Sequence, residues 1–280
     1  MTGIRSSLAP ATIRAYDRAV HHFESFLSIM GRDGLWPVTE TLALRYLAHL
    51  KDIGYAARTI GVHMAAISFF SKAHGFNDPC ASFRARKAVK GWQREAPSIR
   101  DVRRPVTLDM LQRIVRLLPS LCNSRYEATL FEAAFSLAFF GAFRLSELVA
   151  QSRHDLTSRA LLLGDICLHN STLTIVVRRS KTDQVGKGMS VRLHKATTVR
   201  PCPIRALKRF LAIRPHIKGC LLIHADYTPL TRYQFISVFK ASVGSMGFPT
   251  SDFSGHSFRI GAATQAAGEG MAVSQIQAIG

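Results

Sequence analysis

Apolar positions over about the first hundred residues recur at helical intervals. Between Thr12 and Met30 they fall at Ile13, Tyr16, Val20, Phe23, Phe26, Leu27 and Met30, one stripe of a 3.6-residue period, and Gly31 with Asp33-Gly34 ends the run. Thr39 is placed to cap a second helix with Leu42, Leu44, Tyr46, Leu47 and Leu50 inward, closed by Gly54. A third runs from Ala57 to His74 with Ile60, Met64, Ile67 and Phe70 on its apolar face. A fourth follows Asp78-Pro79 and carries Arg84, Arg86, Lys87, Lys90 and Arg94. The pattern predicts a compact four-helix domain over residues 1–95. The period then disappears in a stretch holding Pro97, Ser98, Arg100, Arg103, Arg104 and Pro105, so 96–105 is read as a basic linker.

The remainder, 106–280, mixes periods. Thr107 to Leu118 is amphipathic, while Tyr126 to Phe140 is apolar nearly all round and predicts a buried central helix. Alternation takes over in Asp165–His169, Thr172–Val177 and Ser190–Leu193, a small antiparallel sheet with a tight turn at Asn170-Ser171 and a longer polar loop from Ser180 to Gly188. Leu221, Leu222 and Ile223 read as a further buried strand. Helical patterns resume at Pro203–Ile213, Arg232–Met246, Ser257–Gly268 and Val273–Ile279. The fold class is therefore mostly α (α+β), in two domains.

Charge narrows the partners. Lys and Arg number 37 against 18 Asp and Glu, a formal net charge of +19 with a pI near 10.5. Such a field attracts polyanions, and nucleic acid is the leading candidate. An anionic membrane is the rival, but there is no lipidation motif, and the longest apolar stretch, Leu130 to Phe143, is broken by Glu132 and too short to span a bilayer. The first residues lack the apolar core of a signal peptide. Five scattered cysteines with no CxxC argue against disulfides and fit a reducing, intracellular compartment. His216, Cys220 and His224 are spaced as three zinc ligands on a helix would be, yet the strand-like residues between them disfavour a metal. No metal and no small-molecule cofactor is expected.

Three short motifs carry chemistry. Gly141-Ala142-Phe143-Arg144-Leu145-Ser146-Glu147 follows the buried helix. Arg144 and Glu147, three apart, would share a helical face. A local ion pair is the plain alternative to a fixed phosphate ligand. The polar loop holds Arg178-Arg179-Ser180-Lys181 and Lys187. A lysine at a hairpin tip can protonate a leaving oxygen, although an ordinary basic loop looks the same. Gly255-His256-Ser257-Phe258-Arg259 puts a histidine and an arginine on one side of a helix start, where anions are favoured. A capping histidine beside a surface arginine is the bland reading. The small residues that follow (Gly261, Ala262, Ala263) suggest tight helix packing behind the motif.

Arginine, hairpin lysine, then His-x-x-Arg, after a basic helical domain, resembles the tyrosine recombinase (phage-type integrase) family. The wording "SKTDQVGKG", "PLTRYQF" and "HSFRIGAATQAA" is most similar to recombinases of eukaryotic DIRS-like, Ngaro-like and Crypton mobile elements. Type IB topoisomerases share the chemistry but not the helical domain or this wording. The resemblance implies a core-binding domain and a catalytic domain closing on DNA as a C-shaped clamp. It assigns Arg144 and Arg259 to the non-bridging oxygens of the scissile phosphate, Lys181 to the general acid, His256 to the phosphate or a proton transfer, and Glu147 to support. Arg84, Arg86, Lys87, Lys90, Arg94, Arg103, Arg104 and Lys187 are expected on DNA. Double-stranded DNA, a homo-oligomer on it and a nuclear location follow, with no membrane partner. The chain departs from the family in one respect: the nucleophilic tyrosine should follow the His-x-x-Arg motif, and the last tyrosine is Tyr233. The expectation is an incomplete chain, inactive alone, with a non-catalytic DNA-binding relic as the alternative.

Overall fold

In the computed structural model, residues 2–32, 34–97, 102–154, 159–178, 188–195 and 201–271 are described. The chain is mostly helical with one small antiparallel sheet, and it divides into two compact units, Met1–Arg100 and Asp101–Gly280.

The first unit holds α1 (Thr2–Ser6), α2 (Pro10–Ile29), α3 (Glu40–Asp52), α4 (Ala57–Ala73) and α5 (Phe83–Glu95). Hydroxyls cap two of these helices: Thr39 accepts from the Leu42 N–H at 3.3 Å and Ser82 from the Ala85 N–H at 3.1 Å. The predicted stripes meet as one core of Phe23, Leu27, Tyr46, Leu47, Leu50, Ile60, Ile67 and Val89. Helix α1 is an addition to the four expected. It is too short to show a period and is tied down by Arg5, whose guanidinium spans both carboxylate oxygens of Asp17 on α2 at 2.7 and 2.8 Å. Within the core, the buried Tyr46 hydroxyl is hydrogen-bonded to Nδ1 of His63 (2.7 Å) and of His22 (3.1 Å).

The second unit contains α6 (Leu108–Leu121), α7 (Arg125–Phe140), α8 (Leu145–Leu148), β1 (Ile166–His169), β2 (Thr172–Val177), β3 (Met189–His194), α9 (Pro203–Ile213), α10 (Arg232–Ser245) and α11 (Gly255–Gly268). Helix α7 is central and buried along most of its length, as its unbroken apolar character requires. Its Phe135 meets the rings of Phe235 and Phe239 on α10 and Phe258 on α11, with centroids 4.8, 6.1 and 5.5 Å away. The sheet runs β1-β2-β3, antiparallel throughout, with Leu168 opposite Leu173 and Leu173 opposite Leu193. Leu173, Ile175 and Val177 turn inward at every second position.

The segment read as linker is already docked at its end. The Arg104 N–H donates to the Asp252 carbonyl (2.8 Å) and the Val106 N–H to that of Ser257 (2.9 Å). Leu221, Leu222 and Ile223 are buried as expected but form no strand ladder, only isolated bridges from Cys220 to Leu162 and from Ile223 to Pro229. The reason is Arg214. Its buried guanidinium donates to the carbonyls of Leu221, Cys220, Pro215 and Ile217, which holds this stretch in a compact loop. His216, Cys220 and His224 therefore share no helical face, and no His, Cys, Asp or Glu group suited to a metal occurs among the described residues. None of the described helices is long and apolar enough to cross a membrane. The expected helix at 273–279 lies outside the described residues.

Candidate phosphate-binding site

Two of the motifs meet in the second unit. Helix α7 ends at Phe140, and Gly141 lets the chain turn back on itself: a Cβ there would lie 2.1 Å from the Phe143 ring. Ala142 follows in the left-handed region at φ +47°, unusual for a residue with a Cβ. Arg144 then precedes α8 in extended conformation and caps it. The expected shared helical face is thus corrected: Arg144 lies off the helix. Its backbone N–H donates to Glu147 Oε2 (2.9 Å) and its guanidinium to Oε1 (3.1 Å). Glu147 is 3% exposed, so one buried carboxylate fixes both the main chain and the side chain of Arg144.

Helix α11 begins beside it. Ser254 caps the helix, accepting from the His256 N–H at 3.3 Å, while its own N–H donates to the buried Ser257 hydroxyl at 3.0 Å. Two glycines permit the approach. A Cβ on Gly255 would lie 2.3 Å from Leu145 Cδ1 on α8 and 3.4 Å from Ile236 Cδ1 on α10. A Cβ on Gly261 would lie 1.9 Å from the Val106 carbonyl oxygen. The small-residue run thus marks tight packing against backbone.

The motifs are joined directly. Arg259 Nη1 donates to the carbonyl of Ala142 at 2.8 Å, across 117 positions of sequence. Burial, then the charge of Arg144, lowers the pKa of Arg259, and Glu147 opposes both. His256 is exposed at one edge, and its pKa lies below the usual imidazole value. Partial desolvation is the first cause, followed by the charges of Arg103, Arg232, Arg259 and Arg144. The structure therefore gathers Arg144, Glu147, His256 and Arg259 into one cationic site, two arginines held by protein acceptors around a neutral-leaning histidine.

Arg232 was not singled out from the sequence. It is the first residue of α10, behind the Thr231–Gln234 capping box, and lies in the "PLTRYQF" stretch. Lys181 and Lys187 fall outside the described residues. Val177 pairs with Met189, so the segment carrying both lysines joins adjacent ends of β2 and β3. Arg103 and Arg104 are exposed beside the start of α11. The Arg104 guanidinium also lies over the rings of Phe248 and Phe253, at 5.4 and 5.9 Å. In the first unit Arg84, Arg86, Lys87, Lys90 and Arg94 are all exposed on α5, opposite its buried Ala85 and Val89. Lys87 Nζ is 5.2 Å from the centroid of the exposed Phe83 ring.

Residues 4–73 match the family model described as the N-terminal SAM-like domain of phage integrase. An integrase/recombinase xerD homolog from Selenomonas ruminantium is 28% identical, over 94% of this chain and 76% of its own length. Two solved structures share the fold at low identity. The XerH site-specific recombinase bound to difH substrate has a TM-score of 0.65 at 15% identity, covering 95% of this chain and 71% of its own. The Tn1549 transposon integrase in complex with transposon right end DNA has a TM-score of 0.64 at 16% identity, covering 98% and 86%. The chain is thus similar to phage integrases over residues 4–73, and its fold is shared with recombinases solved on DNA.

Proposed function

We propose that the chain is the DNA-binding and catalytic body of a tyrosine recombinase that cuts and rejoins duplex DNA at specific sites. The observation that carries this reading is the hydrogen bond from Arg259 to the Ala142 carbonyl, which ties the His-x-x-Arg motif to the turn that carries Arg144. Phosphoryl transfer needs little covalent help from the protein. It needs positive charge held at the non-bridging oxygens, and rigid guanidiniums supply that without reorganising. In this reading Arg144 and Arg259 each take a non-bridging oxygen, His256 bonds the phosphate, and Glu147 keeps Arg144 in place. A tyrosine oxygen forms a bond to phosphorus as the bond to the 5′ oxygen breaks, and Lys181 gives that oxygen its proton. The six tyrosines of the sequence all precede His256, so the reading requires a tyrosine other than these six, carried on the C-terminal side of α11 in the same protein or in a partner. The basic face of α5 and Lys187 carry further backbone contacts. On the wording of its motifs the chain is placed with recombinases of eukaryotic mobile elements, acting in the nucleus as a homo-oligomer on DNA.

A nicked suicide substrate tests this on a denaturing gel. The 280-residue chain should bind the duplex and form no covalent adduct. The same chain extended by a tyrosine-bearing recombinase C-terminal segment should form one, and Arg144→Ala or Arg259→Ala should abolish it. An adduct indifferent to both arginines would overturn the site. An arginine-dependent adduct from the unextended chain would place the nucleophile among the six tyrosines.

A further inference from the structure

We infer that Phe83 senses base identity: on a bound duplex its ring packs against thymine 5-methyl groups in the major groove, while the cations of α5 hold the phosphates on either side. This rests on the proposed contact of α5 with DNA and adds to it a residue that distinguishes sequences.

Helical periodicity sorts the side chains of α5 onto faces. Phe83, Lys87, Lys90 and Arg94 fall at i, i+4, i+7 and i+11, one exposed stripe opposite the buried Ala85 and Val89. Arg84 and Arg86 leave the helix on either side of that stripe. The helix holds these five cations against one carboxylate, Glu95, which lies about a third of a turn off the stripe. A cationic face of this kind suits a polyanion, but charge alone does not account for the ring at its head. Phe83 is 70% exposed, the most exposed of the described phenylalanines. The Lys87 Nζ, 5.2 Å from the ring centroid, accompanies the ring without covering it.

A partner that suits the whole face must offer anions along two lines and an apolar group between them. Duplex DNA does so. Phosphates line both walls of the major groove, which is about 12 Å wide and admits a helix, and the apolar group on its floor is the thymine 5-methyl. With Phe83 turned to the floor, Arg84 and Arg86 diverge toward opposite walls. Lys90 and Arg94 lie about 10 and about 16 Å further along the helix axis, where it leaves the groove and meets the backbone again. A second copy of this chain is a poorer occupant, because its formal charge of +19 is repelled by the same cations.

The test compares two fluorescent duplexes of equal length, one of alternating A·T pairs and one in which uracil replaces every thymine, so that they differ only in 5-methyl groups. Binding of the full chain is read by anisotropy between about 50 and 300 mM salt. Burial of one methyl group should favour the thymine duplex by about fourfold. Phe83→Ala should bring that ratio to one and leave the slope of log K against log salt unchanged, since the ring carries no charge. Lys90→Gln and Arg94→Gln should do the reverse, each lowering the slope by about one with the ratio intact. Phe83 is exposed, so an unchanged melting temperature separates lost contact from lost fold. If Lys90→Gln and Arg94→Gln lower the slope but the wild-type ratio is one, or survives Phe83→Ala, this inference fails and α5 remains on DNA. If no variant alters slope or ratio, the contact of α5 with DNA fails as well. A Phe83→Ala chain whose oligomeric state changes in sedimentation without DNA would assign the ring to a protein contact and overturn the inference.

Discussion

His63 in the first unit and His256 in the second both hold their protons less firmly than a free imidazole, for different reasons. His63 is buried against the Tyr46 hydroxyl among His22, Tyr55 and Tyr46 rings, and desolvation first, with the nearby His22, pushes its pKa down to about 4. His256 is half in solvent, and beyond partial desolvation its depression comes from four arginines. A proton on His63 breaks a core. A proton on His256 becomes acceptable once a phosphate neutralises the guanidiniums. The same direction of shift therefore marks a structural histidine in one unit and, on the proposed function, a phosphate-binding histidine in the other.

The strongest way to break this contrast is to disturb the frame that gathers the arginines. Gly261→Ala drives a Cβ into the Val106 carbonyl, which cannot swing aside as a side chain would. It should cost at least about 3 kcal/mol and abolish tight DNA binding, because α11 must move to relieve the clash. Thermal melting with a binding isotherm checks it. A stable, fully binding variant would mean that α11 is not held this close.

Next in size is the response of the first unit to acid. Because the folded His63 binds its proton more weakly than the unfolded chain does, stability is full above about pH 6.5 and falls as pH drops toward 4. The loss at the acid end is about 3 kcal/mol, and His22, also depressed, adds in the same direction. Both tryptophans, Trp36 and Trp92, belong to this unit, so urea unfolding followed by tryptophan emission reports on it selectively. Unfolding midpoints that do not change between pH 7 and pH 4.5 would remove the buried neutral histidine from the account.

A smaller effect sharpens the other half. Ser254→Ala removes the acceptor for the His256 N–H and leaves the arginines in place. Loss of a helix cap costs about 1 kcal/mol, with DNA affinity reduced only by the share of α11 that frays. A loss of affinity as large as that of Arg259→Ala would assign Ser254 to the phosphate.

Much of this was legible in residue order. The apolar stripes of α2, α3 and α4 fixed a helical core because each face recurs over several turns, and Pro203–Ile213 matched α9 end to end. Gly261, in the run of small residues read as tight helix packing, does lie against backbone, at the Val106 carbonyl. What was not legible depends on tertiary partners. Helix α1 exists through Arg5 and Asp17, a pair no short period announces. Leu221–Ile223 looked like a strand because burial, not pairing, set its composition. Arg144 looked helical because the i,i+3 spacing of a cap and its carboxylate equals that of a helical pair. Arg232 was missed because nothing in its neighbourhood signals that α10 packs beside Gly255.

The most direct measurement of the central claim is the pKa of His256, followed by NMR with His256→Gln to assign its signal, in the free protein and on duplex DNA. The account predicts a value below 6.5 in the free chain and a clear rise on DNA, because the bound phosphate offsets the four arginines. It also predicts that Arg232→Ala raises the free value, by removing one of those charges. A His256 pKa unchanged by DNA would contradict the claim that Arg144, His256 and Arg259 form the phosphate site.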